Sequence, residues 1–130
     1  MVIYLGSSDA RQTKYTQAVI DCLNAGKHLS NNQLLERLRL TFPEISATTV
    51  HRITLRLSQR GVIGLAPATI NGFLRYDANI KPHDHFVCLE CDQIKDLDIK
   101  QNVMPYLKAE LNDCDLKGRI TISGVCRMCK

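Results

Sequence analysis

The sequence predicts an α+β fold in two parts: three helices with a β-hairpin, followed by a small antiparallel sheet with one helix. Apolar residues recur at helical spacing three times before Gly61, and an Asn-Gly pair then separates two apolar runs. Past Lys81-Pro82 the pattern changes to short alternating runs and two Cys-x-x-Cys pairs. We therefore predict two domains, residues 1–79 and residues 80–130.

Three helices are predicted in the first domain. The first covers residues 13–25 and stops at Gly26. Ser30 opens the second, because Gln33 stands where a capping box needs a side-chain acceptor. Phe42-Pro43 is expected to end this helix, since the residue before proline disfavours helical backbone.

The third helix is predicted over residues 47–60, between the N-cap Ser46 and the stop residue Gly61. After it, Asn71-Gly72 lies between two apolar runs and favours a type I′ turn with positive φ at both residues. Three helices followed by a hairpin form a winged helix-turn-helix, in which the third helix would enter the major groove of DNA.

The second domain is predicted to hold three short strands and one helix. The strands are expected over residues 85–90, 93–99 and 118–125, and the helix over residues 102–114. A segment of about fifty residues has a thin core. A metal ion or a second copy of the chain would therefore help it fold.

Composition and charge narrow the class of protein. No apolar run approaches the roughly 20 residues that span a bilayer, and residues 1–6 lack the basic start of a signal peptide. The cytoplasm is therefore the expected compartment, with no membrane partner.

The formal charge of +4 lies in residues 1–79, which carry 9 basic and 5 acidic residues. This suggests a polyanion partner, and ordinary solubility charge is the alternative.

Two Cys-x-x-Cys pairs supply four thiolates: Cys88, Cys91, Cys126 and Cys129. Four sulfurs complete the tetrahedral shell of a structural zinc site. In a reducing compartment such pairs favour metal binding over disulfides, which are the alternative. Cys22 is predicted to be a buried apolar residue, and Cys114 a surface thiol or a residue of the core at a helix end.

A second group of metal donors lies just upstream. His83 and His85 are two residues apart, so on a strand their imidazoles lie on the same side. Nearby carboxylates are candidates for completing the set: Asp77 and Asp96, then Asp84 and Asp98. Such a mixed set suits Fe(II), Mn(II) or Zn(II). The alternative is a surface His-x-His near a turn.

The outward face of the third helix carries the candidate DNA contacts. Arg52 can bond bidentately to guanine, whereas arginines near the helix end and threonines at its start suit phosphates. The candidates are Thr48, Thr49, His51, Arg52 and Arg56, with Arg75 on the hairpin. A merely solvated helix face is the alternative.

These residues resemble the ferric uptake regulator family (Fur). The resemblance covers nearly the whole chain, and it rests on Phe42-Pro43, Ser46-Ala-Thr-Thr-Val-His-Arg52, Asn71-Gly72, His83-Asp-His-Phe-Val-Cys-Leu-Glu-Cys91 and the last cysteine pair. It implies a homodimeric, metal-activated DNA-binding repressor. The N-terminal winged helix would be joined to a C-terminal dimerisation domain with an antiparallel sheet.

The resemblance also implies a structural Zn(II) on the four cysteines and a regulatory site for Fe(II) or Mn(II) that bridges the two domains. The family's regulatory ligands match His28, Asp77, His83, His85 and Asp96. Aspartate at the last position, where iron-sensing members usually have glutamate, is typical of the peroxide-sensing PerR-like branch.

Three positions depart from the family pattern. His51 replaces the usual tyrosine before the recognition arginine, which removes an expected contact with a thymine methyl group. The usual Thr-Pro-Gln-Arg run of the first helix is absent, so Lys14 or Arg11 becomes the candidate for its basic contact. Pro82 and Ser123-Gly124 stand where some members place the histidines of a third metal site, so that site is not expected.

Two hypotheses for function follow. The first is a repressor of a palindromic operator that is released when peroxide oxidises His28 or His83. The second is an iron- or manganese-homeostasis repressor without peroxide sensing. A zinc-stabilised protein-interaction module is the alternative from another class. No enzymatic activity is expected, because a closed four-sulfur shell leaves a zinc ion no open position for substrate.

Overall fold

The chain divides into two units in the computed structural model, the first ending at Ile80 and the second covering Lys81–Lys130. The structure describes residues 10–130, with side chains from Lys14 onward. Residues 1–6, on which the expected absence of a signal peptide depends, lie outside the described residues. Within the described range, no helix has both the length and the apolar character needed to cross a membrane.

Three helices and a three-stranded antiparallel sheet make up the first unit. The elements are α1 (Ala10–Gly26), β1 (His28–Ser30), α2 (Asn31–Leu38), α3 (Ala47–Gln59), β2 (Gly64–Ala66) and β3 (Arg75–Asp77). β3 lies between β1 and β2. The winged helix is confirmed. β1 was not predicted, because a strand of three residues is too short to show an alternating pattern.

α2 begins as predicted and ends earlier than predicted. Ser30 Oγ accepts from Gln33 N at 3.2 Å, and Ser30 N donates to Gln33 Oε1 at 2.9 Å, which completes the capping box. The helix stops at Leu38, before Phe42-Pro43, because the chain turns there and Phe42 N donates back to Leu38 O at 2.8 Å.

α3 has both of the predicted ends. Ser46 Oγ accepts from Thr49 N at 3.1 Å at the start of the helix. At its end Gly61 has a φ of 74°, and Val62 N donates to Leu57 O at 2.9 Å. This is a Schellman motif, in which a glycine adopts left-handed backbone at little cost.

The turn of the hairpin differs from the prediction. We call residues 64–77 the wing. Thr69 N donates to Phe73 O at 2.9 Å, and Gly72 N donates to Thr69 O at 2.8 Å. Gly72 has a φ of 87°, whereas Asn71 does not have a positive φ. The predicted type I′ turn is therefore wrong, because it needs positive φ at two successive residues, and a three-residue loop with one left-handed glycine takes its place.

The core of the first unit fixes the orientation of α3. Val50 and Ile53 are 0% exposed and Leu57 is 6% exposed, as the periodicity predicts. They pack in one cluster with residues from α1, α2 and the loops: Tyr15, Val19, Leu23, Leu34, Leu38 and Ile45. Each fully buried aliphatic side chain stabilises the fold by about 1.5–3 kcal/mol. The opposite face of α3 is thereby left to solvent.

The second unit contains β4 (Asp84–Cys88), β5 (Ile94–Leu97), α4 (Lys100–Glu110) and β6 (Thr121–Gly124). β4 lies in the middle of the sheet and pairs antiparallel with β5. β6 pairs parallel with β4, so the sheet is mixed and the predicted wholly antiparallel sheet is corrected. β5 brings the chain back to the end of the sheet at which β4 begins, and the connection through α4 then carries it past β4 to the opposite edge, so β6 runs parallel to β4.

α4 is shorter than predicted at its C-terminal end. Asn112 and Asp113 have φ values of 56° and 61°, which takes the chain out of helical backbone before Cys114. None of the residues of α4 is fully buried, and Leu111 is 46% exposed. The apolar side chains of Val103 and Leu107, one turn apart, are half-buried, so this helix is only partly covered within the chain.

Candidate metal centres and DNA-reading helix

The two Cys-x-x-Cys pairs come together in the second unit. The four sulfur atoms of Cys88, Cys91, Cys126 and Cys129 all lie within 4.8 Å of one another. Cys91 Sγ and Cys126 Sγ are 3.8 Å apart. A tetrahedral zinc ion with Zn–S bonds of about 2.3 Å separates its sulfurs by about 3.8 Å. The spacing of these sulfurs therefore fits a zinc ion.

Backbone amides converge on the sulfur of Cys88. Cys126 N donates to Cys88 Sγ at 3.2 Å, Glu90 N at 3.4 Å and Cys91 N at 3.5 Å. The Cys88 side chain is 0% exposed. Two of these amides belong to the first Cys-x-x-Cys pair and one to the second, so the loops are arranged around the sulfur.

Hydrogen bonds within the cluster give the cysteine thiols different pKa values. The amide hydrogen bonds from Cys126 and Cys91 lower the pKa of Cys88 to about 6, because they stabilise the thiolate. Hydrogen bonds with the Cys126 and Cys91 thiols raise the pKa of Cys129 to about 12. Several thiols of this cluster can therefore be deprotonated at the same time only when a cation is bound among the sulfurs.

The donors predicted in the second unit also lie together. His83 Nε2 and His85 Nε2 are each 3.5 Å from Asp96 Oδ1, and His85 faces Asp96 directly across β4 and β5. The two imidazole rings are 4.5 Å apart between centroids. Nδ1 of His83 lies 2.6 Å from Lys81 O, so a backbone carbonyl orients the ring and leaves Nε2 as the ligand atom.

The two donors predicted in the first unit form a similar pair. His28 in β1 stands opposite Asp77 in β3, and His28 Nε2 is 3.6 Å from Asp77 Oδ2. Asp77 is 1% exposed, and its other oxygen accepts from Asn79 N at 2.9 Å. The sheet thus fixes both side chains. The sequence pattern does not place His28 on a strand, because β1 is too short to show an alternating pattern, so His28 was predicted only through the family resemblance.

The candidate base-reading residues lie on the free face of α3. Thr48, His51 and Arg52 are exposed, and Thr49 and Arg56 are half-buried. Arg52 is followed one turn later by Arg56, so the exposed face carries positive charge along its length. Lys14 of α1 is exposed as well, with Nζ 5.1 Å from the centre of the Phe42 ring.

Arg75 does not occupy the position that the sequence predicts. Its side chain is 3% exposed, with Nε donating to Pro67 O at 2.8 Å and an NH2 group donating to Ala68 O at 3.0 Å. The predicted DNA contact is therefore replaced by a role inside the wing. Arginine has five donors in a planar fork, which lets one side chain hold two carbonyls of a loop.

Two residues that contact His51, Asn31 and Thr54, are not indicated by the sequence. Asn31 Nδ2 lies 3.3 Å from His51 Nδ1, and Asn31 Oδ1 accepts from Thr54 Oγ1 at 2.9 Å. Thr54 is 0% exposed. No sequence pattern could reveal these bonds, because Asn31 and His51 are separated by most of α2 and the turn before α3.

A winged helix joined to a unit with clustered metal donors defines a metal-responsive DNA-binding regulator. The profile of the Ferric uptake regulator family matches residues 7–114, so the chain belongs to that family. It is a transcription regulator and not an enzyme.

Two curated relatives and one solved structure illustrate the likeness. The chain is 29% identical over 131 residues to the "Peroxide-responsive repressor PerR" of Staphylococcus aureus, covering 97% of this chain and 86% of that protein. It is 25% identical over 128 residues to "Transcriptional regulator FurA" of Mycobacterium tuberculosis, covering 96% and 86%. The ferric uptake regulator of Francisella tularensis with iron matches the fold with a TM-score of 0.74 at 15% identity, covering 99% of this chain and 98% of that one.

Proposed function

We propose that the protein is a homodimeric repressor that binds a palindromic operator when Fe(II) or Mn(II) occupies a regulatory site. The ligands would be His28 and Asp77 of the first unit with His83, His85 and Asp96 of the second. One observation carries the proposal: each unit holds a histidine and an aspartate at opposed positions of neighbouring strands, with Nε2 towards the carboxylate.

The chemistry of this donor set supports the proposal. Imidazole nitrogens with carboxylate oxygens suit Fe(II) and Mn(II), and the absence of sulfur disfavours softer ions. The four cysteines would hold Zn(II) separately, since a thiolate set suits zinc. The zinc would fix Cys88 and hence β4, which also carries His85.

The residues of α3 support operator binding. Arg52 would read base edges, while Thr48, Thr49, Arg56 and, from α1, Lys14 would contact the DNA backbone. A homodimer presents two such helices, so its operator would be a palindrome with half-sites about one helical turn apart. Metal binding would favour the arrangement of the units in which both helices reach their half-sites.

A gel-shift titration tests metal control. Wild-type protein is expected to bind an operator, selected from random duplexes, only when Mn(II) is added, and His83→Ala is expected to lose this dependence. Tyr106→Phe is the matched control, because Tyr106 lies in the same unit, is 75% exposed and belongs to no donor cluster. Full Mn(II)-dependent binding by His83→Ala would contradict the proposal.

Peroxide sensing is the finer part of the proposal, and Asp96 at the last ligand position supports it. Bound Fe(II) would promote oxygen transfer from hydrogen peroxide to the imidazole of His28 or His83. Peroxide would supply one oxygen atom to the ring and leave as water, and the oxidised ring would lose its capacity as a ligand. Likeness to a peroxide-responsive repressor at 29% identity supports the same assignment.

Mass spectrometry tests the peroxide response. The Fe(II) form treated with peroxide is expected to carry a single-oxygen adduct on His28 or His83 and to release the operator. The Mn(II) form serves as the control and is expected to remain unmodified and bound. If neither histidine of the Fe(II) form is modified, the protein is instead an iron- or manganese-homeostasis repressor.

A further inference from the structure

The side chain of Asn31 joins the start of α2 to the exposed face of α3. Its amide nitrogen lies 3.3 Å from His51 Nδ1, and its oxygen accepts at 2.9 Å from the hydroxyl of Thr54. Thr54 is 0% exposed and its hydroxyl also lies 3.2 Å from Val50 O and 3.1 Å from His51 O. In this structure the amide NH2 group of Asn31 faces the imidazole, and the amide oxygen faces the Thr54 hydroxyl.

This arrangement determines which ring nitrogen of His51 carries the proton. An amide NH2 group can only donate, so Nδ1 must accept and is unprotonated. The neutral ring then carries its proton on Nε2. His51 is exposed beside Arg52, so Nε2–H is accessible to a partner as a hydrogen-bond donor.

We propose that His51 is a specificity-determining residue that donates Nε2–H to N7 of a guanine of the operator, and that Asn31 is the positioning residue that orients its ring. The proposal rests on the proposed function, because it needs α3 to lie in a major groove. It assigns a polar base contact to a position where the family pattern would place a contact with a thymine methyl group.

The chemistry of the major groove favours guanine as the partner. Guanine presents two neighbouring acceptors, N7 and O6, whereas adenine pairs its N7 with a donor amine. Thymine places a methyl group beside O4, and cytosine offers only a donor. A single neutral donor that approaches guanine N7 therefore meets a second acceptor beside it, and no competing donor or methyl group.

Replacing guanine by 7-deazaguanine tests the contact. The operator is selected from random duplexes by the Mn(II)-loaded wild-type protein, and each guanine of both half-sites is then replaced in turn. At one position the replacement is expected to weaken wild-type binding by about 3- to 10-fold per half-site, the effect of one hydrogen bond. His51→Phe, which keeps a ring and lacks the donor, is expected to be insensitive at that position.

Two variants separate positioning from contact. Arg52→Ala is the matched control, and it is expected to retain the sensitivity that depends on His51 while losing its own. Asn31→Ala is expected to reduce the 7-deazaguanine effect at the His51 position, with a less restrained ring seen in the long-range nitrogen-15 spectrum of His51. Rescue by Asn31→Gln is not expected, because the longer side chain misplaces the amide.

The outcomes distinguish the inference from the proposed function. If wild-type protein selects an operator but no guanine shows a sensitivity that His51→Phe removes, the inference is wrong and the repressor function stands. A preference for adenine at the His51 position would also overturn it, because His51 would then not select guanine. If Mn(II)-loaded protein selects no sequence, both proposals fail.

Discussion

At the residue scale, the sulfur of Cys88 accepts hydrogen bonds from three backbone amides, which come from both Cys-x-x-Cys loops. The other three thiols lie close by, and the pKa of one of them, Cys129, is raised to about 12. The cluster is therefore arranged around one thiolate, and a divalent cation is needed to deprotonate the rest.

Substitution of Cys88 is expected to remove the zinc. Cys88→Ala should lower the zinc content from one ion per chain to near zero and lower the Tm, because the amides around the sulfur lose their acceptor. Metal analysis and thermal unfolding are the measurements. Cys114→Ala is the control, since Cys114 is an exposed thiol of the same unit outside the cluster. Equal zinc content in the two variants would contradict this assignment.

Zinc affinity is expected to rise with pH. Cys88, with a pKa of about 6, is a thiolate at pH 7, whereas Cys129, with a pKa of about 12, must lose a proton when zinc binds. Below about pH 6 the proton on Cys88 also competes, so the affinity should fall more steeply there. Competition with a chromogenic chelator between pH 5 and pH 8, chosen to bracket the pKa of about 6, measures the slope. A zinc affinity independent of pH would be inconsistent with the thiol assignments.

At the element scale, the wing and β4 each depend on one buried charged side chain. Arg75 holds two carbonyls of the wing loop, and Asp84 accepts from Ile120 N at 3.0 Å and from Ile99 N at 3.4 Å. Asp84 is 2% exposed. This carboxylate therefore links β4 to the start of α4 and to the residue before β6.

Arg75 is expected to act on stability and Lys14 on DNA binding. Arg75→Gln should destabilise the first unit by about 1–3 kcal/mol, because two carbonyls of the wing loop lose the donors of this buried side chain. It should leave the salt dependence of operator binding unchanged. Lys14→Gln should reduce the slope of log K against log salt by about 0.9 for each phosphate that the lysine no longer neutralises. A reduced slope for Arg75→Gln without loss of stability would indicate that Arg75 binds DNA directly instead.

Asp84 is expected to stabilise the second unit. Asp84→Ala leaves two backbone amides without their carboxylate partner and should cost about 1–3 kcal/mol in the free energy of unfolding. Asp98→Ala is the comparison, because Asp98 is an exposed carboxylate that directly follows β5. Denaturant unfolding of the zinc-loaded protein measures both, and equal stability of the two variants would rule out the linking role.

Short-range sequence patterns predict the helix ends, whereas contacts between residues distant in the chain decide strand pairing and the burial of some side chains. The capping box at Ser30 and the glycine stop at Gly61 involve residues within a few positions of each other, so the sequence shows them directly. The parallel pairing of β6 depends on how the connection through α4 carries the chain past β4 to the opposite edge of the sheet. The burial of Arg75 likewise depends on a loop that folds back over it, which residue type alone does not reveal.

At the scale of the whole molecule, the candidate regulatory ligands are divided between two units. The sequence predicted all five of them through the family resemblance, and the structure explains two of the pairings by strand register, His28 with Asp77 and His85 with Asp96. A metal ion held by both units would change the free-energy difference between their arrangements. It could shift that equilibrium only by the difference in its affinity for the two arrangements.

The stoichiometry of Mn(II) binding tests the proposal of a shared regulatory site most directly. Zinc-loaded protein is expected to bind one Mn(II) per chain tightly, and both His28→Ala and His83→Ala should lose this ion together with operator binding. The zinc content of both variants should remain at one ion per chain. Two Mn(II) ions per chain in the wild type, with each variant losing only one, would show that the units bind metal separately and would contradict a shared site.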